Sequence, residues 1–555
     1  MSKRVINLLA ILAMGIACAS QLDAKQRHIT FNETGGNVTA VLRSRLAGLT
    51  RADTVFITFG EGDYYINGSV NILPNSVISG AGKERTRILF SNDGSFQGDY
   101  LINFDGKKGQ SISVEISDLS LNMVPHDTLW LKANTPKYIL KFINVDGVKI
   151  HDFNSTLFNA HTTTMDFRVA HNVMIDHCEL VNHNNSDGGG IIWLRRDNRN
   201  VTITNNKLVK YGDDEMLAIW EGGDDTSVMC PESGLKENIT FANNEVRFVK
   251  CPGAKDMICS VQLALYNFGT DKGTHIHWRN IAIRDNTFYY DSPIRTWLSI
   301  RFNQTDTHEN VSVTGNTVTY TGAAGFEGNS HSDIEVHDAG ATANEAVEIA
   351  GNTFHSAMLV KDKYGGNGHY HLIIDGATVN YHDNSLDAAT ATINQKNYGP
   401  TLSWIFGKGG DLRLTDNTLD GIVKIGKLDG GGDIRQVRIT ARDNTFAGDT
   451  RIFCRGVIRA DLDFRKNVFN STSYEVLLQE FAKVGTLTFK DNTVNVSHPY
   501  GGVLFAHYDK SADIRSMRFE RLEVGGNRLR GVSSRQWLPD SMNTDSKKLT
   551  RDYYE

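Results

Sequence analysis

The feature that most constrains this chain is a short phrase that recurs from about residue 110 to 530. Each copy is an alternating apolar strand followed by Asn, one further residue and another apolar side chain, as in Val201-Thr-Ile-Thr-Asn-Asn206-Lys-Leu208. A core repeat of about 25 residues with variable insertions and period-2 alternation is what the stacked coils of a parallel β-solenoid require. A β-propeller would need a longer period, about 40 residues with four strands per blade. The repeated Asn falls at residues 206, 244, 286, 316, 352, 384, 417, 444, 467, 492 and 527.

The repeated Asn has a predicted role of its own. Asn tolerates a left-handed backbone, and its short amide side chain bonds readily to nearby backbone groups. We therefore expect each repeated Asn to take the left-handed conformation at the turn after its strand. We also expect its side chain to bond to the Asn one coil away.

The overall charge argues against one class of partner. The chain has 555 residues, with 58 Lys and Arg against 64 Asp and Glu, which gives a net charge of −6. Nucleic-acid binding is not expected, because there is no basic excess to replace phosphate counterions. The apolar share of 40% is ample for a core. Beyond the amino terminus no stretch reaches the ~18 apolar residues of a transmembrane helix.

The amino terminus has the pattern of a secretory signal peptide. Met1–Arg4 is a short basic head, Val5–Ala17 is an apolar run, and Ala17-Cys18-Ala19 offers a cleavage site between small residues. We expect residues 1–19 to be removed, with cleavage as late as residue 24 also compatible, and the mature protein to be secreted or periplasmic. The alternative is lipidation of Cys18, which would tether the protein to a surface.

The repeat resembles the right-handed parallel β-helix of the pectate lyase superfamily over nearly all of the mature chain. Val55–Tyr65 and Val77–Thr86 look like the entry of such solenoids. The resemblance implies an all-β fold, a single right-handed parallel β-helix over residues 25–532, with a polar tail over 533–555. Residues 42–51 are predicted to form a short helix that caps the open first coil and hides its edge.

One stretch interrupts the repeat with charged groups. Asp187 and Asp214 are 27 residues apart, and we expect this offset to be one coil. Asp187 would then lie beside Asp213 or Asp214 at the strand spacing of about 4.8 Å. His161, 26 residues before Asp187, would extend the column and is a candidate substrate contact. The alternative is that the Gly-Asp-Asp segment simply makes a polar turn.

Two tryptophans share this offset. Trp193 and Trp220 are also 27 residues apart, so we expect them to stack on each other on adjacent coils. Because an aromatic ring offers a flat apolar face, both are candidate platforms for a sugar. A buried aromatic ladder is the alternative that the sequence leaves open.

Carboxylates placed this close repel one another. They persist only if a cation neutralises them or if one of them keeps its proton. Ca²⁺ held by oxygen ligands, with Asp187 and Asp213 as the candidates, is one solution, and it would bridge a uronate. A carboxylate pair that hydrolyses a glycosidic bond is the other.

The charged stretch is similar to the central run of pectate lyases. In that family an Asp-Gly aspartate and an Asp four residues later bind Ca²⁺, a Lys contacts the substrate, and an Arg of an Arg-x-Pro-x-x-Arg motif removes the C5 proton. Asp187 matches the first ligand, whereas Ile191 stands in place of the second and Asp214 in place of the Lys. Lys250-Cys-Pro-Gly-Ala-Lys255 carries lysines at both arginine positions. The resemblance implies β-elimination with one of these lysines as base. Two solvated loop lysines are the alternative.

A second family resemblance competes with the first. Asn185-Ser-Asp187-Gly and Gly212-Asp213-Asp214 are similar to the aspartate motifs of polygalacturonase-type glycoside hydrolases. This resemblance implies Asp214 as the general acid, with the other two aspartates activating water. The Gly-His-Gly of that family is absent downstream, and its Arg-x-Lys clamp is missing in that form. Arg295 and Arg301 lie on a later coil and are candidate substrate contacts.

We therefore expect a monomeric, carbohydrate-active protein that binds a polysaccharide along the coils near residues 160–300. The favoured hypothesis is a polysaccharide lyase that cleaves a uronate-containing polysaccharide by β-elimination, with Lys250 or Lys255 as the base. Hydrolysis by the three aspartates is the second hypothesis. A non-catalytic glycan-binding or adhesive solenoid is the third.

Overall fold

The structure is a computed structural model, and it describes part of the chain. The described residues are 24–91, 95–124, 136–158, 162–183, 189–211, 215–221, 233–249, 259–267, 275–291, 294–320, 326–327, 331–339, 345–355, 360–361, 369–387, 392–393, 396–397, 401–404, 409–420, 423–427, 434–448, 450–454, 457–471, 475–479, 484–497, 499, 503–506 and 518–531. The predicted signal peptide with Cys18, and the polar tail over 533–555, lie outside them.

Every coil of the molecule has the same plan, and the chain forms the right-handed parallel β-helix that the repeat predicts. A strand in sheet 1 is followed by a short strand in sheet 2, and a third strand in sheet 3 leads back to sheet 1. From Asn206 onward the repeated Asn lies between the sheet-1 and sheet-2 strands. Each strand pairs in parallel with the equivalent strand of the next coil, as the strands around Asn206 and Asn244 illustrate. Long strands turn a corner and serve two or three sheets, namely Ile112–Val124, Tyr138–Phe158, Thr163–Asp176 and Ile192–Thr204.

The remaining strands belong to one sheet each. Sheet 1 contains Gln26–Phe31, Thr54–Phe59, Asn75–Ser79, Ser233–Ala242, His275–Arg284, Thr307–Thr314, Val347–Ala350, Thr378–His382, Gly410–Thr415, Ile434–Arg442, Val457–Arg465, Val484–Lys490 and Arg518–Gly525. Sheet 2 contains Gly62–Tyr65, Thr86–Ser91, Glu179–His183, Lys207–Tyr211, Glu245–Phe248, Thr287–Tyr290, Thr317–Tyr320, Thr353–His355, Ser385–Asp387, Thr418–Leu419, Thr445–Phe446, Val468–Ser471, Thr493–Val496 and Arg528–Arg530.

Sheet 3 is the third face of the coil, and two small pairs lie outside the three sheets. Sheet 3 contains Gly68–Ile72, Gln97–Asp105, Leu217–Glu221, Cys259–Asn267, Ile294–Phe302, His331–Asp338, His369–Asp375, Thr401–Trp404, Val423–Lys427, Thr450–Cys454, Glu475–Gln479 and Val503–Ala506. The small pairs are Phe326–Glu327 with Val360–Lys361, and Thr392–Ile393 with Lys396–Asn397.

The predicted capping helix is present with shifted bounds, Thr39–Leu46 instead of 42–51. The side chain of Asn37 accepts a hydrogen bond from the Thr39 backbone N–H at 2.9 Å, so the first turn begins earlier than the prediction. Leu42 and Leu46 are buried and join the core of the first coils. Within the described part of the chain, no helix is long and apolar enough to cross a membrane.

The core is one continuous column of apolar side chains inside the coils. Inward positions repeat the same kind of residue from coil to coil, so rings stack along the axis. Phe142 stacks on Phe104 with ring centroids 5.0 Å apart and on Phe167 with centroids 4.4 Å apart. Burial of each such side chain contributes about 2 kcal/mol, and a column of coils therefore gains stability in proportion to its length.

The predicted ladder of Asn side chains is confirmed. The Oδ1 atom of Asn244 accepts the backbone N–H and the Nδ2 group of Asn206, both at 3.0 Å. The Nδ2 group of Asn244 in turn donates to the Oδ1 atom of Asn286 and to the Ile203 carbonyl, again both at 3.0 Å. The same pattern runs without a break to Asn527. Every buried amide in the ladder is therefore satisfied by its neighbours on both sides.

One detail of the prediction is wrong. The left-handed residue is the one before the repeated Asn, as at Asn205, Asn243 and Asp285 with φ of 56°, 55° and 57°. The reversal at that residue turns the following Asn side chain into the coil, where it bonds. At three later coils Gly315, Gly351 and Gly526 occupy the left-handed position. The repeated Asn is thus selected for its hydrogen bonds and not for its backbone conformation.

A second Asn ladder lies on the surface, where sheet 3 passes into sheet 1. Asn238 donates to the Oδ1 atom of Asn200 at 2.9 Å and accepts from Asn280 at 2.8 Å. All three have φ near 53°. These residues are exposed, so their hydrogen bonds compete with water and contribute less than those of the buried ladder.

Candidate functional site

Six of the predicted site residues lie outside the described residues: His161, Asp187, Asp213, Asp214, Lys250 and Lys255. The described strands on either side show where they belong in the chain. All six fall in connections from sheet 2 to sheet 3, which span 158–162, 183–189, 211–215 and 249–259. Their predicted roles therefore stay predictions.

These four connections start from neighbouring positions. His183 pairs with Phe158 on one side and with Tyr211 on the other, in register along sheet 2. The rings of Phe158 and His183 stack with centroids 5.5 Å apart, and those of Tyr211 and Phe248 with centroids 6.1 Å apart. Burial, helped by the charge of Lys210, lowers the pKa of His183, which keeps its ring neutral within the stack near neutral pH.

The connections also end on neighbouring positions in sheet 3. The Thr164 N–H donates to the Gly190 carbonyl at 3.1 Å, and the Ile191 N–H donates to the Glu215 carbonyl at 3.2 Å. The Met216 N–H donates to the Gln262 carbonyl at 2.8 Å. The connections that carry the predicted residues therefore leave and rejoin the coils one rung apart, at a spacing of about 4.8 Å.

Between the strands that carry the two tryptophans the offset of one coil is 25 residues, so the predicted direct pairing of Trp193 with Trp220 is wrong, whereas the pairing predicted for Asp187 and Asp214 lies outside the described residues. Trp193 pairs with Ala218, and Arg195 pairs with Trp220. The two tryptophans still meet, but diagonally and edge to face, with centroids 5.7 Å apart and ring planes at 82°. Both are half-buried.

Trp193 is held in place by a glycine. A Cβ atom on Gly190 would lie 2.2 Å from the Nε1 atom of Trp193 and 2.8 Å from the Glu215 carbonyl. Only glycine therefore allows the indole to lie flat against the chain at this point. Asn182 fixes the same segment, because its Nδ2 group donates to the carbonyls of Gly189 and Gly190 at 3.3 and 3.2 Å.

A cluster of aromatic rings and arginines covers the outer face of sheet 3 beside these tryptophans. The guanidinium group of Arg195 lies 4.4 Å from the ring centre of Trp193 and 4.9 Å from that of Trp220. Its Nη2 group also donates to the Tyr138 hydroxyl at 3.2 Å. We call this set the arginine–aromatic cluster: Tyr138, Asp166, Arg168, Trp193, Arg195 and Trp220.

One aspartate serves both arginines of the arginine–aromatic cluster. Arg168 donates from Nε to Asp166 at 2.8 Å, and the Nε atom of Arg195 lies 2.8 Å from the other carboxylate oxygen. The Asp166 side chain is fully buried, and the arginine side chains are 5% and 8% exposed. Among the described residues, one buried carboxylate thus faces two buried guanidinium groups, in surroundings where water screens charge poorly.

A second charged group lies farther along the same face. Arg301 is half-exposed, donates to Glu335 at 2.9 Å and covers the ring of Tyr266 at 5.2 Å. By register Arg195, Trp220, Tyr266 and Arg301 follow one another, one per coil. The predicted substrate contact Arg301 thus lies in the same outward column as the arginine–aromatic cluster. Arg295 is exposed on the same strand.

Glu335 is held in its ionised form. Burial alone would raise the pKa of Glu335, but hydrogen bonds from His337, Ser332 and Arg301 outweigh it and lower the pKa to about 2. Burial likewise opposes the charge of His337, yet Asp375 and Glu335 raise its pKa above the ordinary value. Glu335 is therefore a fixed anion that orients Arg301, and it is unsuited to donate a proton.

The sequence pointed to Trp193, Trp220 and Arg301, which the structure places on one face. It missed Tyr138, Asp166, Arg168 and Arg195. A usable signal existed, since Asp166-Phe-Arg168 and Trp193-Leu-Arg195 have the same spacing and both alternate outward. No group of three or more metal-ligating side chains occurs within the described ranges. The predicted Ca²⁺ ligands Asp187 and Asp213 lie outside those ranges.

Comparison with known proteins gives distant structural likenesses. No family model matches the sequence, and no curated protein matches it. A family 28 exopolygalacturonase from Yersinia enterocolitica matches with 10% identity and a TM-score of 0.34, over 91% of this chain and 79% of that chain. The catalytic domain of a family 87 alpha-1,3-glucanase matches with 10% identity and a TM-score of 0.33, over 90% and 69%.

A third likeness is to the A-module of a mannuronan C-5 epimerase from Azotobacter vinelandii. It has 10% identity and a TM-score of 0.26, over 90% of this chain and 96% of that chain. Likenesses at this level say nothing about the reaction that this chain carries out. The assignment of the fold rests on the strand register and the Asn ladder described above.

Proposed function

We propose that this protein is an exported, carbohydrate-active enzyme that acts on a uronate-containing polysaccharide bound along the outer face of sheet 3. The observation that carries the proposal is the arginine–aromatic cluster, with two arginines against one aspartate beside two half-buried tryptophans. Exposed edges and faces of Trp193 and Trp220 suit the apolar faces of sugar rings. Guanidinium groups on this face, among them the half-exposed one of Arg301, suit the carboxylate of a uronate.

The position of the cluster supports the same proposal. It adjoins the connections from sheet 2 to sheet 3, in which the sequence places Asp187, Asp214 and Lys250. Because those connections leave and rejoin the coils on adjacent rungs, a polymer along the face would pass each of them in turn. Arg301 would hold a second carboxylate three coils away, about 14 Å from Arg195 at 4.8 Å per coil.

The reaction we favour is β-elimination. Lys250 or Lys255 would remove the proton at C5 of a uronate, whose carboxylate is held by the positive charge of sheet 3. The electron pair then forms the C4–C5 double bond as the C4–O bond breaks, and the departing oxygen takes a proton. Asp187, Asp213 and Asp214 would bind a cation or the substrate. Ca²⁺, if it binds there, would neutralise carboxylates.

The test is to incubate the mature protein with a panel of uronate polysaccharides, with and without Ca²⁺, while recording reducing ends and the ultraviolet absorbance of the unsaturated product together. Both signals should rise, and Lys250→Ala or Lys255→Ala should abolish both without lowering the melting temperature. Reducing ends without absorbance would replace elimination with hydrolysis by the three aspartates. Binding without either product would favour the non-catalytic glycan-binding or adhesive solenoid.

A pair of arginine variants tests where the substrate lies. Arg301→Gln should raise KM about 10-fold, because a charge-assisted hydrogen bond to the substrate carboxylate is lost. Arg413→Gln is the matched control, since its side chain is equally exposed, 50% against 48%, but lies on sheet 1. An unchanged KM in Arg301→Gln would remove this end of the face from the binding site.

A further inference from the structure

A small pocket with both polar and apolar lining lies far from sheet 3, on the outer side of sheet 2 in the last coils. It has a volume of about 290 Å³ and is lined by Ala447, Gly448, Asn470, Ser471, Asn495, Val496, Ser497 and Arg530. Pockets for small molecules range from ~300 to 1,000 Å³, so this one suits a single sugar unit better than a chain.

The pocket exists because one coil lacks side chains that its neighbours have. By register along sheet 2, Asn470 and Asn495 occupy one outward column, which continues to Arg530 on the next coil. Phe446 pairs with Phe469 on the next coil. Ala447 and Gly448 follow Phe446 in the chain, so they occupy, one coil earlier, the positions of Asn470 and Ser471. The side chains of Ala447 and Gly448 are a methyl group and a hydrogen atom. They leave open the space that the larger side chains of Asn470 and Ser471 fill one coil later.

The polar groups around this space keep free hydrogen-bonding capacity. The Oδ1 atom of Asn470 accepts from Asn495 at 2.9 Å, while its own Nδ2 group donates to no other described residue. The Ser497 hydroxyl donates to the Ser471 carbonyl at 3.2 Å, which leaves its oxygen able to accept. The pocket thus offers a donor and an acceptor at its wall.

Arg530 supplies a charge without a counter-ion. Among the described residues its exposed guanidinium group forms neither an ion pair nor a hydrogen bond. Arginines on sheet 1 of the neighbouring coils are paired, with Arg459 bound to Asp461 at 3.0 Å and Arg465 to Asp463 at 2.6 Å. An unpaired guanidinium beside this pocket is suited to a carboxylate.

We propose that this pocket binds a small hydroxylated carboxylate, a single uronic acid unit, as a second site independent of sheet 3. The carboxylate would pair with Arg530, the hydroxyl groups with Asn470 and Ser497, and the C–H face of the ring would rest on Val496. Such a site would hold the end of a glycan or a released product on the protein. It does not depend on the proposed enzymatic activity, because binding there requires no catalytic residue.

The test is a calorimetric titration of the full protein with galacturonic acid, galactose and inorganic phosphate as probes. Galacturonic acid should bind, and Arg530→Gln should weaken its binding about 10-fold through loss of the charge-assisted pair. Asn470→Ala should weaken it to a smaller extent. Galactose and phosphate should each bind at least about 10-fold more weakly, because galactose lacks the carboxylate and phosphate lacks the hydroxylated ring.

Two control variants locate the binding. Arg438→Gln removes an exposed but ion-paired arginine of a neighbouring coil and should leave the affinity unchanged. Arg413→Gln removes another exposed, ion-paired arginine of sheet 1 and should also leave the affinity unchanged. The proposal is overturned if galacturonic acid does not bind, if galactose or phosphate binds equally well, or if Arg530→Gln binds like the parent protein at an equal melting temperature.

Discussion

The central and the carboxyl-terminal coils share one hydrogen-bonded ladder but differ in length. From Asn206 to Asn244 and on to Asn286 the coils take 38 and 42 residues. From Asn444 to Asn467 and on to Asn492 they take 23 and 25 residues. The ladder bonds are alike in both regions, between 2.9 and 3.0 Å. The additional residues are therefore accommodated outside the ladder, in the connections.

The two regions also differ in how they hold charge. In the central coils Asp166 is fully buried beneath sheet-3 side chains and binds two buried arginines. In the last coils Asp411 lies at the surface of sheet 1 beside Arg413 and Arg438, which are half-exposed. Buried charge is costly unless it is compensated, so a fold retains it where it has a use. Fully buried, ion-paired charge thus distinguishes the coils that contain the arginine–aromatic cluster from the coil that contains Asp411.

The largest effect should come from breaking the shared ladder. Asn244→Ala and Asn492→Ala each leave the preceding ladder Asn with two buried donors unsatisfied, a backbone N–H and one N–H of the side-chain amide. We expect each to lower the free energy of unfolding by about 4 kcal/mol, equally in long and short coils. Urea denaturation of the two variants measures this. A cost in the long coils less than half of that in the short coils would contradict a uniform ladder.

Asn238→Gly is the matched control for the ladder variants. It removes an Asn of the surface ladder while allowing the φ of 53° that this position requires. We expect a loss below about 1 kcal/mol, because water replaces the missing hydrogen bonds.

The next effect contrasts the two kinds of charge. Asp166→Asn removes the carboxylate that compensates Arg168 and Arg195, and it should cost about 3 kcal/mol because uncompensated buried charge remains. Asp411→Asn should cost less than about 1 kcal/mol, because its partners remain solvated. Thermal unfolding compares the two, and tryptophan fluorescence reports on the rings beside Arg195. A similar loss of stability in both variants would mean that Asp166 stabilises the protein no more than the aspartate of a surface ion pair does.

The smallest effect is a dependence on pH. The folded-state pKa of Glu335 is about 2, below its ordinary value of 4.5, so its contribution to stability is complete above the ordinary value and declines as the pH falls toward 2. The difference in melting temperature between the parent protein and Glu335→Gln should therefore shrink as the pH falls from about 4.5 toward 2. In the last coils, Lys490 and Arg521 also lower the pKa of Glu523, which is more exposed. Glu523→Gln should show the same sign with a smaller change, and a difference that grew on acidification would refute the assignment for Glu335.

The fold could be predicted because the repeat is a local signal. The strand alternation and the Asn positions define the coils, and the structure reproduces every predicted Asn pairing from Asn206 to Asn527. The left-handed residue was placed one position late, because Asn, Asp and Gly at the preceding position, as at Asn205 or Gly315, have the same conformational freedom.

The site was less predictable for a geometric reason. Side chains alternate with a period of two, so a slip of two residues leaves every side chain on the same face. The sequence therefore could not separate an offset of 27 residues, which pairs Trp193 with Trp220, from the observed offset of 25, which pairs Trp193 with Ala218. Arg195 was missed because its partner Asp166 comes from the preceding coil, so no motif within one coil marks that interaction.

The buried Asn ladder also has a direction. The backbone N–H and one N–H of the side-chain amide of each ladder Asn before Asn527 donate toward the following coil, as from Asn206 to Asn244 and from Asn492 to Asn527, while the other amide N–H donates to a carbonyl of the preceding coil. During synthesis from the amino terminus, the ladder Asn of the last folded coil therefore has two N–H donors without their ladder acceptor until the next coil folds. Each new coil supplies the acceptor for the ladder Asn of the coil before it. Its own ladder Asn then has two donors that require an acceptor from the next coil. Assembly of the solenoid is in this sense vectorial, and its order matches that of translation.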